Sequence, residues 1–356
     1  MPWRIPVPTA TSREPEPGLP RVLETHAEWR SGDVVNPESW TVTLSENERE
    51  ELHEALQRAQ ARGVDLIDIR REDFPLPDLS KKLQALEREL IDGRGFALLR
   101  GLKRERYSQT EMELLYWGIG MHLGEPWPQN RHGHVLGDVT DQGKSATDPT
   151  SRGNEIGRVR FPYHSDGSDL VGLMCLQTAR SGGTSTIANA VAIHNDLVRE
   201  APELAAALYL PQPFDFRGEE PAGGRPWYEI PVFSDFGDRL FTRYIPPYIQ
   251  SSQRHAEAPR IQPDAGAAME LVDAMCADPS YNVFMDLEAG DMQFVNNYHV
   301  LHARTAYEDD RAAGRVRHLK RLWLETRVLE ERPAFFANNP ASHWATRRSA
   351  SQIQTA

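Results

Sequence analysis

An α+β fold with a sandwich or jelly-roll core is predicted by two features of this 356-residue sequence. The second half holds many short apolar runs bounded by turn residues, without the regular strand–helix alternation that builds a parallel sheet. The first third alternates amphipathic helices with one strand, and two more helices interrupt the later apolar runs. A hydrophobic share of 39% with 8 tryptophans is enough to bury a large core.

LSENEREELHEALQRAQARG opens with Ser45, carries Glu48 three residues on, the reciprocal cap of a helix start, and ends at Gly63. It reads as a helix, largely solvated. In LSKKLQALERELIDG, Leu79, Leu83, Leu86 and Leu90 share one helical face before Gly93. GFALLRGL, Gly95 to Leu102, is apolar between glycines and reads as a buried strand. A second cap, Ser108 with Glu111, starts a helix through Leu114, Leu115 and Ile119 to Gly124. Residues Glu125 to Arg160 are rich in Gly, Pro, Asn and Asp and read as a long binding loop or lid.

After that loop, LVGLMCLQTA, TSTIANA, RLFTRYI, DMQFVNN, HVLHART and HLKRLWLE read as strands. Helices are expected through AVAIHNDLVREAPELAAAL and DAGAAMELVDAMCAD. The expected organisation is one catalytic-type domain over residues 41–330 with an arm before it (1–40) and a tail after it (331–356). The arm has six prolines in its first 20 residues, so it reads as extended.

A formal charge of -12 argues against nucleic-acid partners, which need a concentrated basic surface. Cys175 and Cys276 are too few for a disulfide framework, and no apolar run approaches the ~20 residues of a membrane span. A cytoplasmic protein without membrane or nucleic-acid partners is expected. A homo-oligomer is compatible with the sequence, although no helix offers a clear self-complementary face.

Chemistry concentrates in three places. In RFPYHSDGSDLVGL, His164 and Asp166 are two apart and share one face of an extended chain, whereas Asp169 falls on the other. Imidazole with carboxylate suits Fe(II), Mn or Zn, and two histidines with one carboxylate form the facial triad of non-haem iron oxygenases. VNNYHVLHARTAY supplies His299 and His302, which a strand would turn to opposite faces, so one at most joins the same site. Spacing does not choose between them. In RVRHLKRLWLE, Arg317, Leu319, Arg321 and Trp323 share a face, and two guanidiniums there suit bound anions. His132 and His134 have no further ligand at suitable spacing.

HxD, the distant NNYHVLHAR and the RxxxR after it together resemble the Fe(II)/2-oxoglutarate-dependent dioxygenases of the taurine dioxygenase and clavaminate synthase-like superfamily. GRGFALLRGL and SGGTSTIAN extend the resemblance from about Gly93 to Glu325. It implies a double-stranded β-helix, or jelly roll, with iron held by His164, Asp166 and His302. It also implies that Arg317 pairs with the distal carboxylate of 2-oxoglutarate and that Ser185 gives it a hydroxyl, with Thr184 and Thr186 as alternatives of register. Arg321 matches a position that touches an anionic substrate group in some members and supports the site in others. Arg160, Phe161, Tyr163, Trp127, Gln129 and Asn130 match regions that line substrate pockets.

The implied reaction consumes O2 and 2-oxoglutarate, releases succinate and CO2, and hydroxylates a C–H bond of a small organic molecule. Arg321 and Arg160 hint that this molecule carries a carboxylate or another anion. The carboxylate at Asp166 disfavours halogenation, for which relatives keep a small residue there. Desaturation, epoxidation and cyclisation use the same ligands. Two rivals come from other classes, a metal-binding jelly-roll sensor that does not turn over and a zinc hydrolase, which gives no reason for Arg317.

Overall fold

Two largely antiparallel sheets facing each other frame the molecule in a computed structural model, which describes residues 20–145, 147–329 and 331–337. In chain order the strands begin with β1 (Thr41–Thr43), β2 (Phe96–Arg100), β3 (Glu125–Pro126), β4 (Leu136–Thr140), β5 (Phe161–His164) and β6 (Leu170–Gln177). They continue with β7 (Ser181–Gly182), β8 (Ser185–Asn189), β9 (Pro211–Asp215), β10 (Trp227–Pro231), β11 (Phe233–Phe236) and β12 (Arg239–Thr242). They finish with β13 (Asn282–Met285), β14 (Met292–Asn296), β15 (Val300–Arg304), β16 (Tyr307–Glu308) and β17 (His318–Glu325). The helices are α1 (Glu46–Ala61), α2 (Leu79–Ile91), α3 (Gln109–Gly120), α4 (Ala190–Glu200), α5 (Pro202–Tyr209), α6 (Pro246–Ser252), α7 (Pro263–Ala277) and α8 (Ala334–Ala337).

The larger sheet runs β1-β2-β14-β6-β17-β3, with β4 also on β17, and is antiparallel except for the β1–β2 pair. The smaller runs β13-β8-β15-β5. They form the open jelly roll expected of the sequence and do not close into a barrel. Alternation along β2 explains the layering. Phe96 and Leu98 join Val171, Val295, Ile187, Met285 and Val300 between the sheets. Ala97 and Leu99 face outward and pack in the main core with Leu83, Leu86 and Leu90 of α2 and Met112 and Leu115 of α3. Both faces of the large sheet are thus covered, which is why its central strands read as unbroken apolar runs.

The local expectations hold where chemistry dictated them. Ser45 and Glu48 cap α1, Ser108 and Glu111 cap α3, and the four leucines of α2 are buried. Three expectations need correction. α1 is not largely solvated, because Leu52, Ala55, Leu56 and Ala59 form a buried stripe. The helix expected across Ala190 to Leu208 is two, broken where Pro202 forces Ala201 to φ -145 and ψ 64. The stretch Glu125–Arg160 is not all loop, since it contributes β3 and β4, both paired with β17. Residues 20–40 pack against the core through Leu23, Ala27, Trp29, Val34 and Trp40 and include two short 3-10 turns. The first 19 residues and those from 338 onward lie outside the described residues. Among the described residues, no helix is long and apolar enough to cross a membrane.

Candidate active site

β5 is the edge strand of the smaller sheet and pairs with β15 in a register that sets His164 opposite His302, ring centroids 4.1 Å apart. The pairing then slips, so that Arg304 faces Phe161. This bulge turns Phe161 to the same side as His164 despite their odd spacing, and its ring meets the imidazole edge-on at 4.6 Å. β5 ends at His164, and Asp166 lies in the loop beyond, its backbone N–H donating to Asn297 Oδ1 at 3.0 Å. His164, Asp166 and His302 each bring a ligand atom within 4.8 Å of the others, and no other such group of His, Cys, Asp or Glu occurs among the described residues.

The larger sheet holds the carboxylate. From β17, Trp323 Nε1 donates to Asp166 Oδ2 at 3.0 Å and Arg321 Nη1 to Asp166 Oδ1 at 3.3 Å. Burial works to raise the Asp166 carboxyl, but Arg321, the two imidazoles and the Trp323 indole outweigh it and hold it well below the usual carboxylate range. Burial also lowers both histidines, His302 to about 3 with the adjacent His164 adding to the effect. At neutral pH the cluster therefore holds two neutral imidazoles and one carboxylate, the protonation that a divalent cation requires. His164 Nδ1 donates to Pro162 O at 2.9 Å, which leaves Nε2 with its lone pair. This donor set fits Fe(II).

The cluster lies in a cleft between the sheets, about 1130 Å³ with its open mouth included. Arg317, Leu319, Arg321 and Trp323 all line it, as strand alternation along β17 requires. Burial, with Arg304 alongside, brings the Arg317 guanidinium down to about 10, so it remains a cation at neutral pH. Its Nη1 has no hydrogen-bond partner, and Arg304 Nε and the Tyr307 hydroxyl are open in the same way. These buried donors fit an anionic cosubstrate. Of the three hydroxyl residues at 184–186, only Ser185 lines the cleft. Thr184 donates to Asp286 at 3.0 Å, and Thr186 pairs with the Tyr163 hydroxyl at 2.7 Å on the other face.

Other residues proposed from the sequence separate into two groups. Phe161, Gln129 and Arg321 line the cleft. Gln129 acts on Arg321, accepting from its Nε at 2.8 Å, and donates to Val135 O and Arg321 O. Tyr163, Trp127, Asn130 and Arg160 are not part of the cleft wall. Tyr163 is on the far face of β5, and Trp127 packs against the inter-sheet core. Asn130 folds its own loop through His132 N, His134 N and His134 Nδ1, and Arg160 is exposed. His299 is buried in the turn before β15, outside the cleft, and Asp169 is turned away to Arg332, Tyr298 and Thr326.

Sequence reasoning missed Arg152, Asp215, Arg217, Tyr228, Arg243 and Tyr248, all in the cleft wall. Asp215, Arg217 and Tyr228 belong to or flank the β9–β10 hairpin, whose strands PQPFD and WYEIP each contain proline. Tyr228 and Ile230, two apart around Glu229, were the available strand signal.

The family model for taurine catabolism dioxygenase TauD, TfdA family, matches residues 55–323. FR-33289 synthase of Streptomyces rubellomurinus is 34% identical over 302 residues, covering 83% of this chain and 88% of the relative. Taurine hydroxylase-like protein SAT17 of Stachybotrys chartarum is 27% identical over 315 residues, covering 84% and 79%. An asparagine oxygenase structure containing Fe(II), hydroxyasparagine and succinate has a similar fold, with TM-score 0.63 and 18% identity over 83% of this chain and 97% of that one. The non-heme iron oxygenase OrfP with Fe and alpha-ketoglutaric acid has TM-score 0.60 and 18% identity over 83% and 98%. The motifs, the jelly roll and the match across both sheets agree: the chain belongs to the TauD, TfdA family of dioxygenases.

Proposed function

We propose that this protein uses Fe(II), 2-oxoglutarate and O2 to hydroxylate an unactivated C–H bond of a small, anion-bearing metabolite, releasing succinate and CO2. The observation that carries the reading is a buried cluster of two histidines and one carboxylate sharing a cleft with an arginine whose Nη1 has no hydrogen-bond partner. Hydroxylated amino acids bound to the asparagine oxygenase and OrfP structures support a small-molecule substrate.

His164, Asp166 and His302 would hold the iron, and Arg317 with Ser185 would hold 2-oxoglutarate. When bound, iron and 2-oxoglutarate supply an oxidant from O2. The protein's own contribution is positional. Trp323 and Arg321 fix the Asp166 carboxylate, Gln129 fixes Arg321, and Pro162 O sets the His164 tautomer. Phe161, Leu173 and Leu319 supply apolar wall that limits water around the reacting carbon. A cytoplasmic location is part of this proposal, supported by two buried free cysteines.

The test is a screen of metabolites for stimulation of succinate formation under labelled O2. One labelled oxygen atom in the product is expected, with one succinate per turnover. A product formed without 2-oxoglutarate, or without incorporated oxygen, overturns the proposal.

A further inference from the structure

Arg243 directly follows β12, is only 5% exposed, and lines the cleft. Its Nη2 donates to the Tyr228 hydroxyl at 3.0 Å, while Nε and Nη1 have no hydrogen-bond partner. A guanidinium taken out of water with open N–H groups is unfavourable until an anion completes it.

A second arginine stands in the same condition. Arg217 is 7% exposed and lines the cleft, its Nη2 donates to Asp148 O at 3.0 Å, and its Nε is open. The guanidinium lies 4.9 Å over the ring of Tyr248, which lines the cleft together with Arg243. Arg217 has φ 56, a left-handed conformation that its backbone N–H stabilises by donating to Asp215 Oδ1 at 2.8 Å. Strain of this kind persists where the surroundings fix a side chain in place.

Arg243 lies away from the 2-oxoglutarate end of the cleft. A Cβ on Gly167, the residue after Asp166, would come 3.4 Å from Arg243 Nη1 and 3.3 Å from the Trp323 ring. Arg317, immediately before β17, is six residues back from Trp323, about 20 Å in an extended chain. Arg321, the position that the resemblance offers for a substrate anion, is instead engaged by Gln129 and Asp166.

Charge points the same way. The wall carries six arginines against three carboxylates, and Asp215 is already paired with Arg254 and His255. The two charges of 2-oxoglutarate offset those of a ferrous ion, so the wall's cationic excess is left for the other ligand.

We propose that Arg243, with Arg217 stacked on the neighbouring Tyr248, is an oxyanion subsite that fixes the anionic head group of the substrate. It rests on the oxygenase reading of the cleft and sharpens it. The substrate carries its anion toward the Arg243 end, and its oxidised carbon lies between that head group and the metal.

The test uses the full chain loaded anaerobically with Fe(II) and saturating 2-oxoglutarate, titrated in a calorimeter with methylphosphonate, methanesulfonate and propionate, with propanamide as the neutral control. Wild type binds at least one anion saturably without bleaching the visible band of the iron–2-oxoglutarate chelate. Arg243→Met binds it about tenfold or more weakly, as loss of a charge-assisted hydrogen bond implies. Arg217→Gln weakens it in the same direction, and both variants keep the chelate band. Melting temperatures identify a variant that does not fold, in which case Arg243→Lys and Arg217→Gln carry the comparison. The subsite is overturned if wild type binds no anion, if the variants bind as tightly as wild type, or if the anion displaces the chelate. If wild type forms no chelate band, the oxygenase reading fails by itself, and the calorimetric difference between wild type and Arg243→Met still decides the subsite.

Discussion

Gly183→Ala separates the job of Arg317 from the stability of the fold. Gly183 has φ +74, and a Cβ built there would sit 2.8 Å from Arg317 Nε and 2.9 Å from Arg317 Cδ, with Tyr307 Cβ at 3.3 Å. Ordinary contact needs several tenths of an ångström more, and the element free to move is the far end of the arginine. The left-handed backbone costs about 1–2 kcal/mol with a Cβ present, a fall of a few degrees in melting temperature for a domain of this size. Displacing the guanidinium would forfeit the charge-assisted hydrogen bond to 2-oxoglutarate that we propose for it, worth about 1.5–3 kcal/mol. That corresponds to a rise in KM for 2-oxoglutarate of roughly ten- to a hundredfold. Succinate formation against 2-oxoglutarate concentration, beside a thermal melt, is the assay. An unchanged KM in a folded Gly183→Ala protein would refute the assignment of Arg317.

Trp323→Phe removes the 3.0 Å hydrogen bond to Asp166 Oδ2 while keeping an aromatic ring against Gly167. Fe(II) affinity, measured by competition with a chelator, falls about ten- to a hundredfold, the usual effect of losing a partner behind a metal ligand. An unaltered affinity means that the indole does not position Asp166. Acid should destabilise the metal-free protein through its buried histidines. Burial lowers His302 to about 3 and His194 and His299 to about 4, and it lowers His164 as well, all from an ordinary value of 6.5. Unfolded chains take up these protons near pH 6.5 and the folded one does not, so their contribution is complete above that pH and is lost as pH falls toward 4. Each group contributes up to about 1.4 kcal/mol per pH unit in that window. The melting temperature at pH 5 is therefore below that at pH 7.5, and a level or rising value contradicts the burial argument. Asp169→Asn should lower the melting temperature by weakening the tie between the β5–β6 loop and Arg332, Tyr298 and Thr326, with 2-oxoglutarate KM unchanged. A raised KM would place Asp169 in the site.

Features governed by local chemistry were legible in the sequence. Serine–glutamate caps, a leucine stripe and a β17 alternation that carries Arg317, Leu319, Arg321 and Trp323 to one wall each follow from residues close together in the chain. His164 and Asp166 were found by the right spacing for an incomplete reason, because the strand ends at His164 and Asn297 brings Asp166 round. Distant contacts decided what was missed. Tyr163 looked like substrate wall until the bulge opposite Arg304 gave that side to Phe161. Arg217 and Arg243 carry no local signature, since they acquire meaning only when the β9–β10 hairpin and the residue after β12 fold over the cleft. The closeness of Gly183 to Arg317 depends on packing between strands.

The central claim is that His164, Asp166 and His302 hold iron beside a 2-oxoglutarate anchored by Arg317. Anaerobic titration of Fe(II) and 2-oxoglutarate, read by the visible charge-transfer band of the chelate, tests it most directly. A band is expected that requires both components, is weakened in Asp166→Ala, is absent from His302→Ala, and needs far more 2-oxoglutarate in Arg317→Gln. No band in the wild type, or an undiminished band in Asp166→Ala and Arg317→Gln alike, would contradict it.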